Sequence, residues 1–135
     1  MKPCSFNGVY QPSLLQTFPT GPILLLSYFY DRLAPLMPAR RTLTVADIAR
    51  TARRVCAGRG AWEDHWGGDA RALFELADRP EYCLDLTFQY ALLRLGYEFD
   101  DAREVRIEKK VDDTELGWCL GATISMLDGH LECRQ

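Results

Sequence analysis

Histidine is scarce in this chain: His65 and His130 are the two among 135 residues. Each stands alone in its neighbourhood, which favours packing or surface roles over metal binding. No HExxH pair and no nucleophile elbow occur, so the usual signatures of zinc and serine hydrolases are missing. Gly58, Gly60, Gly67 and Gly68 lack the strand–loop–helix setting and the Lys-Ser/Thr pair with which a glycine loop cradles phosphate. No two cysteines lie two to four residues apart, which excludes the common zinc-site spacing. Long apolar runs are missing too. The longest, Ile23 to Leu26 with aromatics after it, is far short of the ~20 residues that span a bilayer. The N-terminus has neither the basic region nor the apolar stretch of a signal peptide.

What is present is an ordinary globular composition. Apolar residues make up 47% of the chain and charged residues 26%, enough for one domain with a real core. Sixteen basic against nineteen acidic residues give a net charge of −3, which makes no general case for nucleic acid. The one basic cluster, Arg40-Arg41 with Arg50, Arg53 and Arg54, reads as a solvated helix face. Five cysteines are an odd number. In a secretory protein that leaves at least one without an intramolecular partner, and in a cytosolic one they are ordinary buried thiols.

Met1 to Thr20 is rich in Pro, Gly, Asn and Ser and reads as irregular chain lying across a neighbouring lobe. The run from Ile23 to Tyr30 predicts a short buried strand that turns helical near Phe29, closed by Asp31-Arg32. Thr44 and Asp47 form a variant capping box for a helix with Val45, Ile48, Ala49, Ala52 and Val55 on its apolar face. Gly58 and Gly60 end it. Trp62 and Trp66, four apart, share one side of a helical turn. Further helices are expected over 69–77 and 83–95, the second closed by Gly96. Alternation at Val105, Ile107 and Val111 predicts a half-exposed strand over 104–111. A last helix is expected from Asp113 or Thr114 to about Leu127. The order is α/β with helices outnumbering strands, and two or three strands are too few for a complete doubly wound sheet.

Gly117-Trp118-Cys119-Leu120-Gly121-Ala122 places an indole between two glycines in an apolar stretch. Glycine costs a helix roughly 1 kcal/mol against alanine, so the pair points to close packing against a helix, a strand or a ligand. Asp85 sits inside an apolar helix, where a carboxylate must be hydrogen-bonded or paired. It is either structural or ligand-orienting. Tyr28, Tyr30 and Tyr82 are either core or faces on which a planar base can stack.

Five blocks form an ordered set: Cys4 to Leu14, Ser27 to Arg32, Cys83 to Gln89, Lys109-Lys110-Val111, and Glu115 to Ala122. Together they resemble the C-terminal quarter of the apyrase and nucleoside-diphosphatase family, most closely its fungal Golgi guanosine-diphosphatase branch. The resemblance implies that residues 1–135 are a C-terminal segment, irregular over 1–22 with a core over 23–135, and part of a ribonuclease-H/actin-like lobe. It implies a two-lobed enzyme hydrolysing nucleoside diphosphates, GDP with UDP as the alternative, in the Golgi lumen. A divalent cation (calcium, magnesium or manganese) would sit with the phosphates of the full-length enzyme, with none bound by this chain alone. The partners implied are a small-molecule nucleotide and the N-terminal lobe; neither nucleic acid nor a membrane is expected to contact this segment.

The phosphate loops and catalytic carboxylates of that family belong to its earlier blocks, so no catalytic or metal-binding residue is expected here. Residue by residue, the resemblance assigns Tyr30 and Tyr82 to base stacking. Asp85, Trp118 and Gly121 are assigned to structural support, the last two beneath the phosphate-binding region. It also implies a Cys56–Cys83 disulfide, a partner for Cys4 upstream of Met1, and a free thiol at Cys119. Two rival readings are an independent helical interaction domain and an inactive fragment.

Overall fold

A computed structural model describes residues 5–6, 9–10, 12–111, 114–115 and 123. The opening carries more regular structure than its composition suggests. Strands β1 (Ser5–Phe6) and β2 (Val9–Tyr10) pair antiparallel, and one helical turn, α1 (Leu14–Thr17), follows. Strand β3 (Ile23–Leu25) then gives way to helix α2 (Tyr28–Leu33), the expected switch near Phe29. Asp31 and Arg32 lie within α2 rather than closing the run. Ser27, just before the helix, has φ +48°, a region few side chains adopt; its carbonyl accepts from Asp31 N at 2.8 Å.

Strand β4 (Thr42–Thr44) was not foreseen. At three residues it is too short for alternation to register, and it exists because β5 (Glu104–Ile107) is there to pair with it. The sheet order is β3-β5-β4, with β3 parallel and β4 antiparallel to the central strand. In β5, Val105 and Ile107 are buried while Glu104 and Arg106 face water, the period of two that the sequence predicted.

The Thr44–Asp47 capping box is formed: Asp47 N donates to Thr44 Oγ1 at 3.2 Å and Thr44 N donates to Asp47 Oδ2 at 2.9 Å. It starts α3 (Val45–Cys56), whose Val45, Ile48, Ala49, Ala52 and Val55 are all buried. Gly58, at φ +91°, supplies the left-handed backbone that separates α3 from α4 (Arg59–Trp66). Gly60 is inside α4, so only the first of these glycines breaks the chain. Helices α5 (Ala70–Asp78) and α6 (Tyr82–Ala91) follow, α6 running into a π-helical turn at Leu92–Gly96. Asp69 caps α5 by accepting from Arg71 N and Ala72 N. After β5, β6 (Lys110–Val111) pairs with β7 (Thr114–Glu115), so no helix begins at Thr114. The helix expected beyond it, with Trp118 and Gly121, lies outside the described residues, as do Cys4 and Cys119.

One core joins the sheet to the helices. Leu43, Val105 and Ile107 from the strands meet Leu33, Ile48, Val55, Leu76, Leu86 and Leu93 from the helices, each at most 2% exposed. The two indoles anchor α4 differently. Trp66 is buried and donates to Leu36 O at 3.0 Å, while half-buried Trp62 donates to Val55 O at 2.7 Å. The result is a small α/β domain, rich in helix, with a mixed three-stranded sheet. Among the described residues no helix is long and apolar enough to cross a membrane.

Candidate functional site

Helix α2 is short, yet it presents two different faces. Tyr28 and Arg32 are four apart and share one side, while Tyr30 is rotated about 200° from Tyr28. The first pair turns toward α6 and finds Asp85. Tyr28 donates its hydroxyl to Asp85 Oδ1 at 3.0 Å and to the Asp85 carbonyl at 3.2 Å. Arg32 Nε donates to Asp85 Oδ2 at 2.9 Å, and Arg79 Nε donates to the same oxygen. The sequence demanded partners for a carboxylate in an apolar helix; here it has two cations and a phenol.

Burial pushes the Asp85 carboxyl up, but the Arg79 hydrogen bond, the Tyr28 hydroxyl and the charges of Arg79 and Arg32 outweigh it and hold the group below the ordinary aspartate value. The counterpart is Tyr28, pushed up to about 12 by burial first and then by its bond to the Asp85 carboxylate. The network is therefore ionised and closed at neutral pH. Gln89 joins it: fully buried, it donates Nε2 to the Tyr28 carbonyl at 2.8 Å, while its buried Oε1 has no hydrogen-bond partner among the described residues.

Tyr30 faces the other way, onto a cleft of about 420 Å³ lined also by Pro35, Pro38, Arg41, Arg71 and Glu75. Its ring is partly exposed, and the Arg41 guanidinium carbon lies 5.5 Å from its centroid. Tyr82 is placed otherwise. It is 1% exposed, donates its hydroxyl to Arg32 O at 3.1 Å, and belongs to the core. Burial, with the nearby Glu75 charge, pushes its phenol up to about 12. Such a ring has no open face for a base, so its part is to support α2 and not to stack. The Arg32 guanidinium lies 5.8 Å from the centroids of both Tyr28 and Tyr82, which makes Arg32 the peg between the two phenols.

Cys56 and Cys83 are joined by a disulfide, with Cα atoms 4.8 Å apart, as the resemblance implied. The bond ties the end of α3 to the first turn of α6, two residues before Asp85. Among the described residues no group of three or more His, Cys, Asp and Glu is placed to hold a metal ion. Sequence reasoning missed Arg32, Arg41 and Gln89. Gln89 had a signal, since it follows Asp85 by four in an otherwise apolar helix and two polar groups there must share one buried side. Arg32 follows Tyr28 at the same interval. Arg41 had none, because it reaches Tyr30 across a loop.

Residues 1–133 match the GDA1/CD39 (nucleoside phosphatase) family. The chain is 48% identical over 128 residues to a guanosine-diphosphatase of Schizosaccharomyces pombe, covering 94% of this chain and 22% of that protein. It is 50% identical over 131 residues to a probable guanosine-diphosphatase of Aspergillus fumigatus, covering 94% and 25%. To an ectonucleoside triphosphate diphosphohydrolase 5 of Mus musculus it is 36% identical over 105 residues, covering 75% and 22%. The chain thus spans between a fifth and a quarter of the length of these relatives.

Proposed function

The chain belongs to the GDA1/CD39 (nucleoside phosphatase) family, and on that premise we propose that it is the base-binding and bracing segment of a nucleoside diphosphatase. The reaction is hydrolysis of a nucleoside diphosphate, GDP foremost with UDP as the alternative, to the monophosphate and phosphate. The lobe it completes is of the ribonuclease-H/actin type. The attacking water, the phosphates and a divalent cation (calcium, magnesium or manganese) are handled by parts of the enzyme outside these 135 residues. To Trp118 and Gly121 we assign, by the family resemblance, the role of supporting the phosphate region. The Cys56–Cys83 bond suits an oxidising compartment, in keeping with the Golgi lumen.

The observation that carries this reading is Tyr30. Its ring forms one wall of an open cleft, and it rides on a helix pinned by the Asp85 network. A rigid aromatic wall with solvent in front of it is what base stacking requires. In an active enzyme that contains this segment, Tyr30→Ala should weaken nucleotide interaction by about 1–3 kcal/mol. The loss should fall mainly on KM, since ground and transition states share the contact. Tyr30→Phe should keep most of the affinity, because the π-face and not the hydroxyl does the stacking. Unchanged KM and kcat for GDP in the alanine variant would remove Tyr30 from the site.

A second expected result concerns the 135-residue chain by itself. It should release no phosphate from GDP or UDP with calcium or manganese, because the phosphate loops and catalytic carboxylates, whose preorganised field supplies much of such a rate, belong by the family resemblance to the enzyme's earlier blocks. Phosphate release at more than ~1 per second that copurifies with the chain, a rate ordinary for an enzyme, would overturn the division of labour.

A further inference from the structure

The cation over the Tyr30 ring is held by its backbone and not by its tip. Arg41 O accepts from Ile107 N at 2.8 Å, which ties this residue to the central strand of the sheet. Among the described residues its exposed guanidinium has one hydrogen bond, Nη1 to Pro38 O at 3.5 Å, at the long limit for such a bond. Arg32, which lines the same cleft, is committed to Asp85 at 2.9 Å. Of the three arginines that line the cleft, Arg32 is locked, while Arg41, the one over the Tyr30 ring, is anchored at its root with a movable head.

We propose that Arg41 selects the base at Tyr30, favouring a purine that carries two adjacent acceptors, as guanine does at O6 and N7. This rests on Tyr30 being the base platform. An exposed cation–π contact is worth less than a base–aromatic stack, so an incoming base displaces the guanidinium from the ring face. The displaced head is then at the edge of the base that replaced it. Its planar fork matches O6 and N7 of guanine with two parallel hydrogen bonds. Adenine offers an acceptor beside a donor, and uracil's two carbonyls are separated by the N3–H donor, so neither satisfies both arms. Stacking alone is indifferent to the base; the arginine supplies the preference.

Hypoxanthine keeps O6 and N7 and loses only the 2-amino group, whereas 7-deazaguanine loses N7. GDP, IDP, 7-deaza-GDP and UDP should be titrated, with divalent cation withheld, into an active enzyme that contains this segment while the Tyr30 ring resonances are followed by NMR. GDP and IDP should bind alike, and about five- to tenfold more tightly than 7-deaza-GDP and UDP, the low end for a bidentate contact in an exposed site. Arg41→Gln should bring all four within about twofold of one another while each still shifts Tyr30. That side chain is exposed, so the variant should keep the parent's near-ultraviolet circular dichroism. If IDP binds as weakly as UDP, or if Arg41→Gln keeps the guanine preference, the assignment of Arg41 is overturned and the Tyr30 platform stands. If none of the four nucleotides shifts Tyr30 in that enzyme, the platform itself fails and this inference fails with it.

Discussion

Replacing Asp85 by alanine should destabilise the protein by about 3–5 kcal/mol, the usual loss when one partner of a buried ion pair is removed and the other is stranded. The stranded group is Arg32, whose side chain is 21% exposed and wedged between the rings of Tyr28 and Tyr82. Tyr28 loses its carboxylate acceptor as well. Arg79 is different: its side chain is 39% exposed, so water replaces the lost bond. The variants should therefore rank, with Asp85→Ala far below the parent, Arg32→Ala between them, and Arg79→Ala close to the parent. Because the same network pins α2, Asp85→Ala should also blur the Tyr30 ring resonances. Denaturant midpoints check the order. An Asp85→Ala protein within about 0.5 kcal/mol of the parent, the range of a neutral surface change, would show that the network contributes nothing net.

Acid gives the same network a second signature. Asp85 and Asp47 both have carboxyls held below the ordinary aspartate value, against an opposing push from burial. For Asp47 the Thr44 backbone and the Arg40 and Arg50 guanidiniums do the holding. A group depressed in the folded state contributes stability that is fully present above its unfolded pKa of ~3.9 and is lost as pH falls through the folded value. The parent should therefore weaken from about pH 5 downward. Asp85→Asn cannot lose that share, so the gap between it and the parent should narrow as acid is added. A gap independent of pH would place the Asp85 effect in packing alone.

Local chemistry made much of the fold legible and cross-chain pairing hid the rest. The Thr44–Asp47 box and the apolar face of α3 are relations within a few turns, readable from spacing, and each is found. Strand β4 was invisible because a three-residue strand owes its existence to β5, about sixty residues further on. Gly60 misled because a glycine at a helix start costs little, and only Gly58 takes the left-handed backbone. At the site, Asp85 announced itself as a buried charge, but its partners Tyr28 and Arg32 lie more than fifty residues away. Tyr30 and Tyr82 looked equivalent in sequence. Burial separates them, since aromatic type does not say which ring the fold covers. The Cys56–Cys83 pairing came through family resemblance; elimination among five cysteines would not have produced it.

Opening that disulfide should lower stability by about 3–4 kcal/mol, on the chain-entropy argument for the loop between residues separated by 27 in sequence. For a domain of this size that corresponds to a fall in Tm of roughly 10–15 °C. The loop holds α4 and α5 with both Trp62 and Trp66. Its grip on the rest of the core is noncovalent: Trp66 is buried and bonded to Leu36 O outside the loop, and α3 packs along α6. Reduction should therefore leave the folded state intact at 25 °C, with Trp66 still buried, while moving the thermal transition down. The double variant Cys56→Ser/Cys83→Ser should melt where the reduced parent melts, and reductant should not move it further. Matching intrinsic fluorescence of oxidised and reduced protein before the transition, with separated transitions, is the expected pattern. An unchanged Tm in reduced protein whose thiol count shows the bond open would mean that α3 and α6 packing already holds this loop closed, and that the bond adds nothing to it.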